Sequence, residues 1–192
     1  EPNGATLPRA ARIIEVGPRD GPQNEAVTVP AETRIALTAA LAASGLRDIQ
    51  AGSFVSPRWV PQMAGTAAAP AAPRAAAGVH YPVLVPNLQG YERAREVGAT
   101  EVAVFTAASE AFNQKNINAS IDASIDRFVP VMERARADGV AVRGYVSTVL
   151  GCPYPGEVPV ADVVRVAKRL AELGWRKQQD NHLCPACLNK EA

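Results

Sequence analysis

An arginine and an aspartate stand side by side at positions 19 and 20, just after a short apolar segment. Residues 12–16 are predicted to form a strand, which Gly17 and Pro18 end. In α/β folds, residues just past the carboxyl end of a strand face the ligand crevice. There, Asp20 could hold a hard divalent cation, and Arg19 could neutralise a carboxylate or a developing oxyanion. A solvated turn with a local ion pair is the alternative that the tripeptide leaves open.

The composition indicates one globular, cytoplasmic domain. The chain has 192 residues, 47% of them hydrophobic, which is enough for one sizeable core. Its 20 basic and 19 acidic residues give no field of one sign for nucleic acid or a membrane surface. No apolar run approaches the roughly 20 residues that span a bilayer, and no apolar signal core is seen near the start. Three cysteines argue against a disulfide framework and fit a reducing compartment.

Strand-like and helix-like segments alternate along the chain. Strands are predicted at 12–16, 48–55, 81–85, 101–105 and 140–149, and helices at 30–44, 90–97, 120–138 and 160–173. Strand–helix repeats at this spacing indicate a parallel sheet with helical crossovers. Five units are visible, and periodicity alone leaves both a doubly wound sheet and a (β/α)₈ barrel open.

Two segments do not fit this alternation. Residues 64–78 should form a helix, but they carry no large apolar side chain and are interrupted by Pro70 and Pro73. Residues 176–192 are polar where a sixth hydrophobic strand is expected. Our hypothesis is that a frame change or a broken gene end produced this tail, and that residues 64–78 have the same origin. The tail also holds His182, Cys184 and Cys187, which are metal-ligand types but fall short of the four ligands of a structural zinc site.

Five long strings occur in order and carry a family resemblance. They are EVGPRDGPQNE at 15–25, GSFVSPRWVPQMA at 52–64, YPVLVPNLQGYERA at 81–94, FTAASEAFNQKNINASI at 105–121 and VRGYVSTVLGCPYPGEV at 142–158. Together they resemble hydroxymethylglutaryl-CoA lyase, a family of metal-dependent lyases built on TIM barrels. The resemblance covers residues 12–174 and implies an incomplete α/β (β/α)₈ TIM barrel, of which this chain holds the first five βα units. It leaves residues 1–11 and 175–192 as tails.

The resemblance also implies a reaction, the metal-assisted retro-Claisen cleavage of 3-hydroxy-3-methylglutaryl-CoA to acetoacetate and acetyl-CoA. The substrate would be an acyl-CoA thioester, and the cofactor a divalent metal, Mg²⁺ or Mn²⁺. Such a metal lowers the pKa of the C3 hydroxyl, and a cation meets the enolate charge of the departing acetyl unit. By resemblance, Asp20 is a metal ligand, and Arg19 is the catalytic residue that stabilises the enolate-like oxygen.

Four further residues match substrate-binding positions of the family. They are Gln23, Asn87, Tyr145 and Ser147. For Asn87, which follows Pro86, a turn-forming role is the alternative. Tyr145 and Ser147 share one face of their strand because they are two residues apart. Arg143 shares this face, and three polar-capable residues on it favour an inward position that lines the site over ordinary packing in the barrel interior.

The chain departs from the family pattern at several positions. Gln50 replaces the glutamate that acts as an acid/base residue, and glutamine cannot take a proton. The family's His-x-His metal ligands on strand seven have no counterpart, because His80 and His182 stand apart. Cys152 belongs to the strand-five loop, and we expect it to pack and not to react. Five of eight barrel units leave open sheet edges, so we expect the chain to aggregate, to self-associate as a homo-oligomer or to be held by a partner, and to be poorly soluble in isolation.

Overall fold

The strands pair in the order in which they occur along the chain. This computed structural model describes residues 12–56, 58, 60–63, 78–178 and 181–183. The strands of its parallel sheet are β1 (Gly52–Ser53), β2 (Val83–Leu84), β3 (Glu101–Ala107) and β4 (Ala141–Ser147). Glu15 extends the series through a parallel bridge to Ile49. A doubly wound sheet reverses its strand order at a switch point, whereas a barrel winds in one direction. The described strands follow the barrel winding.

Helices lie between successive strands and complete the βα units. Their bounds are α1 (Gly17–Asp20), α2 (Ala31–Ala43), α3 (Leu88–Glu96), α4 (Glu110–Ile117), α5 (Ile121–Asp138) and α6 (Val160–Glu172). Short 3₁₀ turns occupy Gly21–Asn24 and Pro61–Met63. The predictions of α2, α3, α5 and α6 are confirmed to within two residues at each end.

The first three strands are shorter than their sequence patterns predict. The segment predicted at 12–16 forms one bridge, at Glu15, because the chain turns into α1 immediately afterwards. Pro82 and Pro86 have no N–H group, so the ladder around β2 is interrupted on both sides. The second strand in chain order, which contains β1 and is called strand two below, also holds a bulge. Ala51 N donates to Pro82 O, whereas Phe54 N, three residues on, donates to Leu84 O, only two residues further along the neighbouring strand. These local interruptions shorten the ladders without changing their order.

Helix α4 was not predicted from the sequence. Its residues are largely polar, and a buried asparagine, Asn113, takes the place that an apolar side chain usually fills. The signal present was its cap, because the Ser109 hydroxyl accepts from Phe112 N at 3.3 Å. Ser120 caps α5 in the same way, accepting from Ala123 N at 3.1 Å. Capping thus marks two consecutive helix starts, only one of which also has apolar periodicity.

The two faces of the sheet have different chemistry. Valines of β2, β3 and β4 point toward the helices and pack against Phe128, Val131 and Met132 of α5. The opposite face carries Glu101 of β3 and Arg143 of β4, whose side chains bond at 3.1 Å. Tyr145 and Ser147 share that face with Arg143 by strand alternation. The polar face is therefore the barrel interior, and the apolar face is the core beneath the helices.

Gly144 lies on the helix-facing side of β4, directly under the ring of Trp175. A Cβ atom at this position would lie 2.6 Å from Trp175 Cζ3, and an indole ring cannot bend away. We expect Gly144→Ala to lower the free energy of unfolding by about 1–3 kcal/mol, measured by urea denaturation. The control is Gly21→Ala, where the added Cβ meets nothing within 4 Å and the backbone is helical. Equal stability of the two variants would contradict this prediction.

Some sequence expectations concern residues outside the described part of the chain. These are residues 1–11, most of the segment 64–78, and Cys184 and Cys187 of the tail. In place of a sixth parallel strand, β5 (Arg176–Gln178) and β6 (Asn181–Leu183) pair with each other antiparallel. Among the helices described, none combines the length and apolar character that a membrane span requires.

Candidate active site

Arg19 and Asp20 lie on α1, which begins at Gly17, just after the bridge that Glu15 makes to Ile49. The helix starts abruptly because Pro18 has a φ angle suited to a first turn, and Gly17 N donates to Glu15 Oε1 at 2.6 Å. Arg19 N and Asp20 N then both donate to Val16 O. This turn places the two side chains at the carboxyl ends of the strands, as the sequence predicts.

Arg19 turns inward, whereas Asp20 stays near solvent. The Arg19 side chain is 17% exposed, and its Nε donates to Gln50 Oε1 at 2.7 Å. Its Nη1 bonds Asp20 Oδ1 at 2.5 Å, and the Asp20 side chain is 55% exposed. The local ion pair of the alternative interpretation is therefore present, but it belongs to a larger arrangement that includes a residue of strand two.

Gln50 is fully buried on strand two, just before the bulge at Gly52. Its backbone N–H donates to Glu15 O at 2.7 Å, so it is fixed to the first strand position as well. Its side-chain Nε2 is buried and has no hydrogen-bond partner among the described residues. Bulges change the direction of neighbouring side chains and occur often beside active sites. Position 50 is thus held rigidly against Arg19.

Gln23 and Asn87 contact the same end of the sheet in different ways. Gln23 Nε2 donates to Arg19 O at 3.3 Å, which ties the 3₁₀ turn after α1 to the arginine. Asn87 Oδ1 accepts from Gly90 N at 2.9 Å and caps α3. The turn-forming alternative therefore holds for the side-chain oxygen of Asn87, which caps the start of α3. The described contacts do not join Asn87 to Arg19.

Tyr145 and Ser147 line the barrel face of β4. The Tyr145 hydroxyl is buried and has no hydrogen-bond partner among the described residues. Burial raises the pKa of Tyr145, and the positive charges of Arg143 and Arg19 oppose that rise. Ser147 ends the strand, and its carbonyl oxygen accepts from Ala108 N at 2.9 Å.

A cluster of four charged side chains forms the floor beneath this site. Arg12 pairs with Asp48, Arg143 pairs with Glu101, and Arg12 Nη2 lies 3.8 Å from Glu101 Oε2. Burial alone would raise the pKa of Asp48, but the bond and charge of Arg12 outweigh it and hold that pKa below its ordinary value. The bond to Asp48 raises the pKa of Arg12 in turn. We call these four residues the floor cluster.

Sequence reasoning identified Arg143 on the inward face but missed the other members of the floor cluster. The available signal was the charged residue at the start of three separate strands, at 12, 48 and 101. Charged residues almost never enter a buried position unless they are paired. Three such starts in one sheet therefore predict a shared ionic layer, provided that the strand order is known.

The described residues do not form a complete metal site. Among them, no group of three or more His, Cys, Asp or Glu side chains is close enough together to hold an ion. A magnesium ion requires near-octahedral oxygen coordination, to which Asp20 could contribute one ligand. Its carboxylate faces Arg19 here. Cys152 is buried against Ala108 and Val158, and this packing agrees with the expected structural role.

The fold and the site define a TIM-barrel protein with a polar site at the carboxyl ends of its strands. Residues 10–177 match the family described as HMGL-like, and the chain belongs to that family. It is 55% identical over 168 residues to the 3-hydroxy-3-isohexenylglutaryl-CoA/hydroxy-methylglutaryl-CoA lyase of Pseudomonas aeruginosa. That alignment covers 88% of this chain and 56% of the relative, so the chain spans about half the length of the curated relatives it matches.

Solved structures agree with this assignment. The crystal structure of hydroxymethylglutaryl-CoA lyase from Pseudomonas aeruginosa superposes with a TM-score of 0.80 at 55% identity, covering 86% of this chain and 55% of that one. A lyase from Acinetobacter baumannii, solved with coenzyme A and 3-methylmalate, gives a TM-score of 0.79 at 31% identity, covering 85% and 54%. The prediction of the family and of part of a TIM barrel is confirmed, and the structure shows four parallel strands of it, extended by the bridge at Glu15.

Proposed function

We propose that this chain carries the Arg19 side of a lyase site for 3-hydroxy-3-methylglutaryl-CoA, which is cleaved to acetoacetate and acetyl-CoA. The observation that carries the proposal is the inward guanidinium of Arg19, held by Gln50 at the carboxyl end of the strands. Relatives at 52–55% identity have this lyase activity in their names. A further relative was solved with coenzyme A, which supports a CoA thioester as the ligand class.

The chemistry assigns distinct tasks to the residues around Arg19. As the C2–C3 bond of the substrate breaks, the C3 hydroxyl loses its proton and becomes the carbonyl of acetoacetate. The electron pair of the broken bond moves into the thioester, whose oxygen gains enolate charge until C2 takes up a proton to give acetyl-CoA. A fixed guanidinium stabilises such charge without reorganising. Tyr145 offers a buried hydroxyl with no partner among the described residues, which suits a hydrogen bond to a substrate oxygen. We assign Gln23, Asn87 and Ser147 to the rim that binds the rest of the acyl group.

Asp20 is proposed as one ligand of a divalent metal. Its carboxylate is exposed and stands at the mouth of the site, where a hard cation could reach it. The described residues do not complete a coordination shell, so we derive no step through the metal. The family membership supports the proposal, and the remaining ligands are not among the described residues.

A second candidate function is the binding of an acyl-CoA thioester without cleavage. The observation that favours it is the amide of Gln50 at the position where the family resemblance implies a glutamate. An amide can accept and donate hydrogen bonds, but it cannot remove the C3 hydroxyl proton. The two candidate functions share the same ligand and differ only in turnover.

One assay separates the two candidates. The full chain is incubated with 3-hydroxy-3-methylglutaryl-CoA and Mg²⁺, and acetoacetate release is measured beside Gln50→Glu. For a lyase with an impaired proton transfer, we expect slow release by the unmodified chain and an increase of about a hundredfold in Gln50→Glu, which restores the carboxylate. The matched control is Gln114→Glu, because Gln114 is exposed and its side chain donates to Asn118 Oδ1, away from the site.

The possible outcomes distinguish the functions. If neither the unmodified chain nor Gln50→Glu releases acetoacetate but both still bind the thioester, the lyase proposal is contradicted and the binding-only function is supported. Release by the unmodified chain contradicts the binding-only function. An equal gain in Gln114→Glu would show that the added charge, and not the position, is responsible.

Three further properties are also proposals. We propose a cytoplasmic location, although relatives named as mitochondrial and as cytoplasmic are both 52% identical to this chain. We propose that the chain forms a homo-oligomer. We also propose that residues 12–174 form the barrel domain, whose Gly144 packs under the ring of the following Trp175.

A further inference from the structure

The contact between Arg19 and Gln50 determines the orientation of the amide. Arg19 Nε approaches the side-chain oxygen of Gln50 at 2.7 Å. A guanidinium only donates hydrogen bonds, so turning the amide round would set two donors against each other. Nε2 is therefore directed away from Arg19, buried, and without an acceptor among the described residues. Gln50 thus presents its oxygen to the arginine and a donor to the interior.

Gln50 orients Arg19 without cancelling its charge. A carboxylate at this position would hold the same Nε atom but would bring a full negative charge to within hydrogen-bond distance of the guanidinium. The other acidic side chains nearby are already engaged. Asp48 and Glu101 pair within the floor cluster, and Asp20 meets Arg19 from the solvent side, where water screens the pair. The inward side of Arg19 is therefore paired with a neutral group.

The interior beside Arg19 presents hydrogen-bond donors. Gln50 Nε2 and the Tyr145 hydroxyl are both buried and lack partners among the described residues. An unpaired buried donor is costly, and it gains most from an acceptor oxygen, above all a charged one. A cation and two free donor groups together match the chemistry of a carboxylate.

We propose that Gln50 is a neutral positioning residue that directs the charge of Arg19 at an anionic ligand oxygen, so that the site selects anionic ligands over their uncharged counterparts. In the proposed cleavage this oxygen is the enolate-like oxygen of the thioester, and in free 3-hydroxy-3-methylglutarate it belongs to the carboxylate that stands in place of the thioester. The proposal deepens the proposed function, since it concerns the same site, but it requires no bond cleavage. Gln50 acts through Arg19, and its amide group also replaces the negative charge that would repel an anion.

Binding selectivity tests this proposal in the full chain. Affinities for 3-hydroxy-3-methylglutarate and for its dimethyl ester are measured by calorimetry in EDTA. We expect the unmodified chain to prefer the dianion by at least about tenfold. Gln50→Glu should reduce that preference by about tenfold or more, because a fixed negative charge then faces the ligand. Gln114→Glu, which adds the same charge at an exposed position, should leave the preference unchanged.

A second variant covers the possibility that Gln50→Glu does not fold. Gln50→Met has a similar volume but accepts no hydrogen bond from Arg19, so it should weaken binding of the dianion about tenfold and of the ester much less. Equal weakening for both ligands would indicate a structural role and overturn the proposal. An unchanged preference in Gln50→Glu, or no binding of the dianion by the unmodified chain, would also overturn it.

The two proposals can fail separately. If the binding preference depends on Gln50 but no variant releases acetoacetate, the lyase function fails and the role of Gln50 stands. If acetoacetate is released but the preference is insensitive to Gln50, the lyase function stands and the role of Gln50 fails.

Discussion

Arg19→Met is expected to lower acetoacetate release by about a hundred- to a thousandfold, the effect of removing one donor that stabilises a developing oxyanion. Methionine keeps most of the length of the side chain but removes the guanidinium. The variant loses the hydrogen bond to Gln50, the ion pair with Asp20 and the positive charge that opposes the rise in the pKa of Tyr145. The measurement is the rate of acetoacetate formation from 3-hydroxy-3-methylglutaryl-CoA, carried out in the Gln50→Glu background if the unmodified chain is inactive.

The matched control for this experiment is Arg47→Met. Arg47 is exposed and precedes strand two, at the opposite end of the strands from Arg19. It therefore reports the general effect of losing one positive charge. We expect its rate to stay within about twofold of the parent chain, since exposed charges contribute little at physiological salt. A rate for Arg19→Met above a tenth of the parent rate, with an unchanged melting temperature, would contradict the role of Arg19.

Glu101→Gln is expected to lower the free energy of unfolding by about 3 kcal/mol, because it leaves Arg143 buried without its counter-charge. Both side chains are 13% exposed, and Glu101 Oε1 accepts from Arg143 Nε and Nη2, each at 3.1 Å. Glu101 also approaches Arg12 at 3.8 Å. One substitution therefore disturbs two arginines of the floor cluster. Urea denaturation of the full chain measures the change.

Two controls separate the cost of an unpaired charge from the value of the pair. The double variant Glu101→Met and Arg143→Met replaces both charges by apolar groups of similar length, and we expect a stability within about 1 kcal/mol of the parent. Asp126→Asn breaks the exposed pair with Arg169, which has a 2.9 Å contact, and should cost at most about 0.5 kcal/mol. If the double variant loses as much stability as Glu101→Gln, the unpaired charge is not the cause.

Local chemistry explains which features the sequence could predict. The end of the first strand segment at Gly17 and Pro18, and the end of α5 at Gly139 with its positive φ of 66°, depend on residues near each other in the chain. The five strand positions follow from apolar patterning. The alternation of side chains placed Arg143, Tyr145 and Ser147 on one face. These features depend on near neighbours and on periodicity, so they can be predicted before any tertiary contact is known.

The sequence alone thus determined the family, the βα alternation and the position of Arg19 and Asp20 after a strand. Only the tertiary structure decided what those residues contact. Gln50 lies 31 positions from Arg19 in the sequence. The two ion pairs of the floor cluster join residues that are 36 and 42 positions apart. Such contacts depend on strand order, on register and on the bulge in strand two, where one extra residue moves every later side chain to the opposite face. Periodicity predicts which face a side chain occupies, whereas pairing between strands decides which other side chain it meets there.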